Sequence, residues 1–158
     1  MAEDLTDTDP RNDWCYVAEG GATIVFSYAG SDPVYDGTVL RLRKSRRQNP
    51  HPTLTSTLRD TCLPDAEDVI SISFQEIVVS QLIPKNYLPV LQAVRVNSRW
   101  LTELAEVTDP YRPVERAVKD GIDLHRCKAV LATNAVGRNG WAVEIKVSTS
   151  LCVDRPRY

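Results

Sequence analysis

A chain of 158 residues carries 19 Lys and Arg against 21 Asp and Glu, a net charge of −2 at pH 7, with 42% hydrophobic residues. That length suits one domain with a buried core, and the charge balance excludes a protein drawn to nucleic acid or membrane by its overall field, so any basic site must be local. No apolar run approaches the ~20 residues of a membrane-spanning helix, and the opening "MAEDLTDTDPRND" is acidic where a signal or transit peptide would be basic.

Residues 1–12 hold four carboxylates and one large apolar residue, Leu5, and are predicted to be a disordered acidic tail. Three strands are predicted over 14–18, 22–28 and 38–43, joined by Glu-Gly-Gly and by "AGSDPVYDG", both rich in turn formers. The composition of "QNPHPTLTSTLRDTCLP" predicts a loop. Ile70, Phe74, Ile77 and Val78 then recur at helical spacing, with Asp65 placed as an N-cap, which predicts a helix over 66–79. "VLQAVRV" reads as a strand, "SRWLTELAEV" as a helix opened by Ser98, and "TDPYRPVERAVKDGID" as a loop. "KAVLAT" and "WAVEIKV" read as two strands separated by the turn-rich "NAVGRNG". The fold class that follows is α+β, an antiparallel sheet with one or two packed helices.

Four cysteines, Cys15, Cys62, Cys127 and Cys152, lie far apart and form no Cys-x-x-Cys pair. Neither zinc nor a disulfide framework is expected, and a reduced thiol set fits the cytoplasm or nucleus. His51 and His125 fall in or beside predicted loops with no evident catalytic partner, and no hydrolase or Walker motif is present.

Alternation along the second strand puts Ile24, Phe26 and Tyr28 on the core face. In the third strand Leu40 and Leu42 share a face, which leaves Val39, Arg41 and Arg43 on the other. A glycine pair allows close backbone approach, and a cation on a neighbouring strand can neutralise phosphate charge, as protein kinases do with a Gly-rich loop and a strand lysine. Gly-Gly in a hairpin is most often a plain turn, so both readings stay open. Five cations crowd into seven residues at Arg41, Arg43, Lys44, Arg46 and Arg47. They are either a solvated strand end, the preferred reading for Arg46 and Arg47, or a local anion site suited to a multiply phosphorylated small molecule. In "WAVEIKV" alternation puts Glu144 and Lys146 together, either as a surface ion pair or as part of a ligand site.

The strings "WCYVAEGGATIVFSYAG", "GTVLRLRKSRR", "EIVVSQLIPKNYL", "ERAVKDGID" and "WAVEIK", in this order, resemble the N-terminal part of a fungal-type inositol-pentakisphosphate 2-kinase. The resemblance implies a two-lobed kinase relative, with residues 13–147 as its N-lobe. It implies transfer of the γ-phosphate of ATP, with Mg2+, to the 2-hydroxyl of inositol 1,3,4,5,6-pentakisphosphate, giving inositol hexakisphosphate (phytate). Matched residue by residue, Gly20, Gly21, Ala22 and Thr23 are the loop over the ATP phosphates, and Arg41 replaces the protein-kinase lysine. Arg116 is the arginine that reaches substrate phosphate, and Glu144 and Lys146 begin the family's Glu-x-Lys-Pro-Lys motif. "VLATNAV" corresponds to the adenine hinge, with Asn134 where the family would place an acidic residue.

After "EIK" the family continues Pro-Lys-x-Gly-Phe-Leu-Pro, whereas this chain reads "VSTSLCVDRPRY". Residues 148–158 are therefore expected to be an aberrant tail in place of the start of the C-lobe, which would carry the catalytic residues and the magnesium ligands. The expectation is a monomeric chain, truncated and inactive alone, that takes a small-molecule substrate and neither nucleic acid nor membrane. The alternatives are a non-catalytic module binding nucleotide or inositol phosphate, and an unrelated α+β interaction domain.

Overall fold

A computed structural model describes residues 4–47 and 66–136. Its centre is an antiparallel sheet of six strands among the described residues: β1 (Trp14–Glu19), β2 (Thr23–Tyr28), β3 (Thr38–Arg46), β4 (Leu91–Arg95), β5 (Asp120–Ile122) and β6 (Lys128–Thr133). The order is β1-β2-β3-β6-β4, so the expected meander of hairpins holds for the first three strands. The strand β3 runs nine residues, and one of its edges is shared: Thr38 to Arg41 pair with β6, and Lys44 to Arg46 pair with β5. That second pairing extends β3 past the predicted end at residue 43.

Alternation sets the core. Ile24, Phe26, Leu40 and Leu42 face one way and bury completely or nearly so. Against them packs α3 (Ser98–Thr108) through Trp100, Leu101 and Leu104. Asn97, not Ser98, caps this helix: its side chain accepts the Trp100 N–H at 2.8 Å, which shifts the expected start by one residue. The strand β6, central between β3 and β4, is buried on both faces, with Ala129 and Leu131 in the main core and Val130 and Ala132 turned the other way.

The helical segment after β3 starts as α1 (Ala66–Phe74), passes through one π-turn (Gln75–Val79) and ends as α2 (Ser80–Leu82). It packs against β4 and β6. The expected helix over 66–79 is present; its proposed cap, Asp65, lies outside the described residues. So do His51, Cys62, Cys152, Glu144, Lys146, the predicted "WAVEIKV" strand and the 148–158 tail.

Two expectations are overturned. Residues 4–12 are not a disordered tail: a 3-10 turn at Leu5–Asp7 drops Leu5 into the core with 0% exposure. Thr8 then ties two indoles, its hydroxyl accepting from Trp14 Nε1 and its carbonyl from Trp100 Nε1, both at 3.0 Å. A single buried leucine and two satisfied indole donors order a segment whose composition is otherwise that of a solvated tail. The expected loop over 108–123 is likewise structured, with a 3-10 turn (Asp109–Tyr111), α4 (Val114–Lys119) and β5.

Candidate anion-binding site

Glu19 is the last residue of β1, and Gly20, Gly21 and Ala22 turn the chain into β2. Neither Gly20 nor Gly21 adopts a positive φ, so the turn does not need glycine for its backbone conformation. A Cβ at either position would meet nothing within 4 Å, so what the glycines provide is bare space. The Gly20 N–H donates to the Thr23 carbonyl at 2.8 Å, and the Ala22 carbonyl accepts from Lys44 N–H at 3.0 Å. The turn is thus laced to β3 by its backbone.

That space opens on a cavity of about 360 Å³ lined by Gly20, Gly21, Lys44, Ser45, Arg46, Arg116, Lys119 and Asp120. Two residues before Lys44, Leu42 faces the core, and the period of two carries the Lys44 side chain inward as well, to 4% exposure. Arg46, Arg116 and Lys119 are exposed and bring three more cations to the rim. Arg116 comes from α4, and its Nη1 donates to the Glu19 carbonyl at 2.6 Å. One acidic side chain, Asp120, also lines the space.

Beneath the cavity lies a buried ion network. The Glu19 carboxylate, 1% exposed, accepts from Lys44 Nζ at 3.0 Å and from Arg112 Nη2 at 2.8 Å and Nε at 3.2 Å. Arg112 has a fully buried side chain. It spends its remaining donors on the Asp120 carbonyl at 2.9 Å, the Asp120 carboxylate at 2.7 Å and Asp109 at 3.2 Å. Lys44 completes the square with Asp120 at 3.1 Å. Two cations face two carboxylates, with Asp109 paired in addition to Arg47.

Burial pushes the Glu19 carboxyl up, but hydrogen bonds from Arg112 and Lys44 outweigh it and hold the group below its ordinary range. Burial likewise lowers the Arg112 guanidinium, and the hydrogen bonds it donates to Glu19, Asp109 and Asp120 more than reverse this, so Arg112 stays charged. Tyr16, whose hydroxyl lies 3.5 Å from Glu19, is raised by burial and by the Glu19 charge.

The structure therefore brings together Gly20, Gly21, Lys44, Arg46 and Arg116 of the residues singled out from sequence. Thr23 is half-buried at the start of β2. Arg41 is exposed on the opposite face of β3 from Lys44, beside Val25 and Val130, and does not line the cavity. On that same face Arg43 pairs with Asp68 of α1 at 2.9 Å. At the hinge segment, Asn134 donates its N–H to the Gly37 carbonyl and accepts from Val136 N–H through its side chain. Arg46, read from sequence as a solvated strand end, sits on the cavity rim. Lys119, Arg112, Glu19 and Asp120 escape sequence reasoning altogether. For Lys44 a signal existed, since a lysine in the inward register behind Leu40 and Leu42 needs a buried anion; for the partners in residues 109–120, nothing in spacing announces them.

The arrangement suits a ligand of several negative charges. Cations on a concave wall, with unhindered glycines opposite, accommodate phosphate groups at close approach. Among the described residues no group of three His, Cys, Asp or Glu side chains is placed to hold a metal ion, and no residue is assigned to one.

Residues 16–151 match the family described as inositol-pentakisphosphate 2-kinase. Over 117 residues, 74% of this chain and 25% of the relative, the sequence is 34% identical to the inositol-pentakisphosphate 2-kinase of Cryptococcus neoformans. It is 28% identical to the rice inositol-pentakisphosphate 2-kinase over 85% of this chain and 34% of that protein, and 34% identical to the Arabidopsis thaliana enzyme over 44% of this chain. The chain thus spans a quarter to a third of the length of the relatives that match most of it. With 136 of its 158 residues inside the family match, the chain belongs to the inositol-pentakisphosphate 2-kinase family.

Proposed function

We propose that this chain forms the N-terminal part of an enzyme that moves the γ-phosphate of ATP onto the 2-hydroxyl of inositol pentakisphosphate, and that the cavity at the Gly20–Gly21 turn receives phosphates of the inositol ligand. The observation that carries the reading is the convergence of Arg46, Arg116 and Lys119 on one glycine-walled cavity in a member of this family. Arg41 stands on the other face of β3, opposite Val25 of β2, and in this reading it meets the nucleotide phosphates. The turn then lies between two anions, with phosphate charge balanced from both sides. Bound ATP and its magnesium would supply the transferable phosphoryl group; these residues bind and orient.

Phosphoryl transfer rests on positioning and charge neutralisation from every side of the reacting group. Residues 1–158 contribute one such side, so the chain alone is expected to bind and not to turn over. Calorimetric titration with inositol pentakisphosphate, then with ATP, tests this. Binding of the inositol phosphate that disappears in Arg116→Gln, and binding of ATP that weakens in Arg41→Gln, is the expected result. Undiminished binding in both variants would sink the reading, and measurable phosphoryl transfer would remove the expected inactivity. A binding-only module is what remains if titration succeeds and no extension of the chain transfers phosphate.

A further inference from the structure

The short helix α4 presents a problem of support. It carries Arg116 and Lys119 to the cavity, yet none of its six residues is buried, and Val114 and Val118 are 76% and 72% exposed. Among the described residues little apolar burial fixes it to the sheet, with Ala117 half-buried and both valines exposed. What brackets it is the ion network: Arg112 lies two residues before its start, and Asp120 immediately follows its end. These two bond each other, and each bonds one partner beside the turn, Arg112 to Glu19 and Asp120 to Lys44. A third tie, Arg116 to the Glu19 carbonyl, fastens the middle of the helix to the residue just before Gly20.

We propose that Arg112 is a positioning residue for the anion cavity. Together with Glu19, Lys44 and Asp120 it clamps both ends of α4 to the glycine turn, so that Arg116 and Lys119 meet a phosphate-bearing ligand without first having to be ordered. This rests on the cavity reading above and adds to it a cause for the cavity's shape. Buried ion pairs add little to stability beyond what apolar residues of equal volume would give, and their attested use is to specify a geometry. A guanidinium whose donors are taken by three carboxylates, Glu19, Asp109 and Asp120, and by the Asp120 carbonyl at the end of α4 is suited to that use. Supporting residues of this kind act through preorganisation of the groups they hold, not through contact with the ligand.

Charge and positioning predict opposite signs for one substitution. Asp120→Asn removes a negative charge from the cavity wall, so an electrostatic role alone would tighten binding of a polyanion. If Asp120 holds α4, binding of inositol hexakisphosphate to the 158-residue chain weakens about 10- to 100-fold instead, the size of loss known for residues that orient metal ligands. The pair Glu19→Gln/Lys44→Met, which keeps both the volume and the net charge of the network, is expected to weaken binding similarly. Hydrogen exchange reads the clamp without any ligand: in the pair variant, amides of 114–119 lose protection while those of β6 keep it. Unchanged protection of α4, or equal or tighter binding by Asp120→Asn, overturns the proposal. Arg116→Gln separates the two levels. If it binds like the wild type, the cavity reading falls and this proposal with it; if it loses binding while Asp120→Asn does not, only the clamp is wrong.

Discussion

Glu19 shows how one residue can be structural and electrostatic at once. Its carboxyl is held below the ordinary value of 4.5, so its contribution to stability is complete above that pH and is lost as pH falls through the lower folded-state value. The acid limb of a Tm-against-pH curve is therefore expected to be steeper for wild type than for Glu19→Gln, and the variant to lie lower at neutral pH; parallel curves would deny Glu19 that role. The glycines beside it invite the opposite experiment. Since neither has a positive φ and a Cβ fits in open space, Gly20→Ala and Gly21→Ala are expected to leave Tm unchanged or to stabilise by about 0.4–1 kcal/mol. Binding of inositol hexakisphosphate should weaken nonetheless, because the methyl group occupies the ligand's approach; titration beside thermal unfolding checks both halves. In sequence, the glycine pair is visible but its reason is not, since a turn that needs glycine and a wall that needs bare space are spelled alike.

At the scale of elements, legibility follows burial. Strands β2 and β3 reveal their inward faces because Ile24, Phe26, Leu40 and Leu42 obey the period of two and fill one core. The helix α3 shows the same through Trp100, Leu101 and Leu104. In contrast α4 has no fully buried residue, so hydrophobic periodicity has little to report, and the ionic partners that bracket it lie up to 93 residues away in the chain. The N-terminal segment hides for a related reason: one leucine among carboxylates carries no pattern, although Leu5 is completely buried. Leu5→Ala is accordingly expected to destabilise by about 2–5 kcal/mol, a core-sized loss, measured by urea unfolding. A change within ±0.5 kcal/mol, usual for surface positions, would return the segment to the status of a tail.

For the molecule as a whole, the face carried by α1, the π-turn and α2 remains apolar and open, with Ile70, Phe74, Ile77 and Leu82 each more than half exposed. An apolar surface of this kind binds hydrophobic dyes and promotes self-association. Ile77→Lys and Leu82→Lys are expected to lower dye binding and aggregation without lowering Tm, as scattering and fluorescence during a thermal ramp would show. Family membership is legible in sequence because it rests on ordered strings along most of the chain. The separation of Arg41 from Arg46 onto two sides of the turn is not, since both belong to one run of cations. That separation has a mechanical consequence. Five residue steps of extended backbone lie between them, about 17 Å at ~3.3 Å each, in a strand braced on one edge by β2 and on the other by β6 and then β5. On the function proposed above, β3 would work as a ruler graduated in side chains, with a nucleotide mark at one end and an inositol mark at the other. Inserting a single residue after Leu42 would not merely lengthen it. Lys44 would turn outward and Arg43 inward, and the scale would be read from the wrong side.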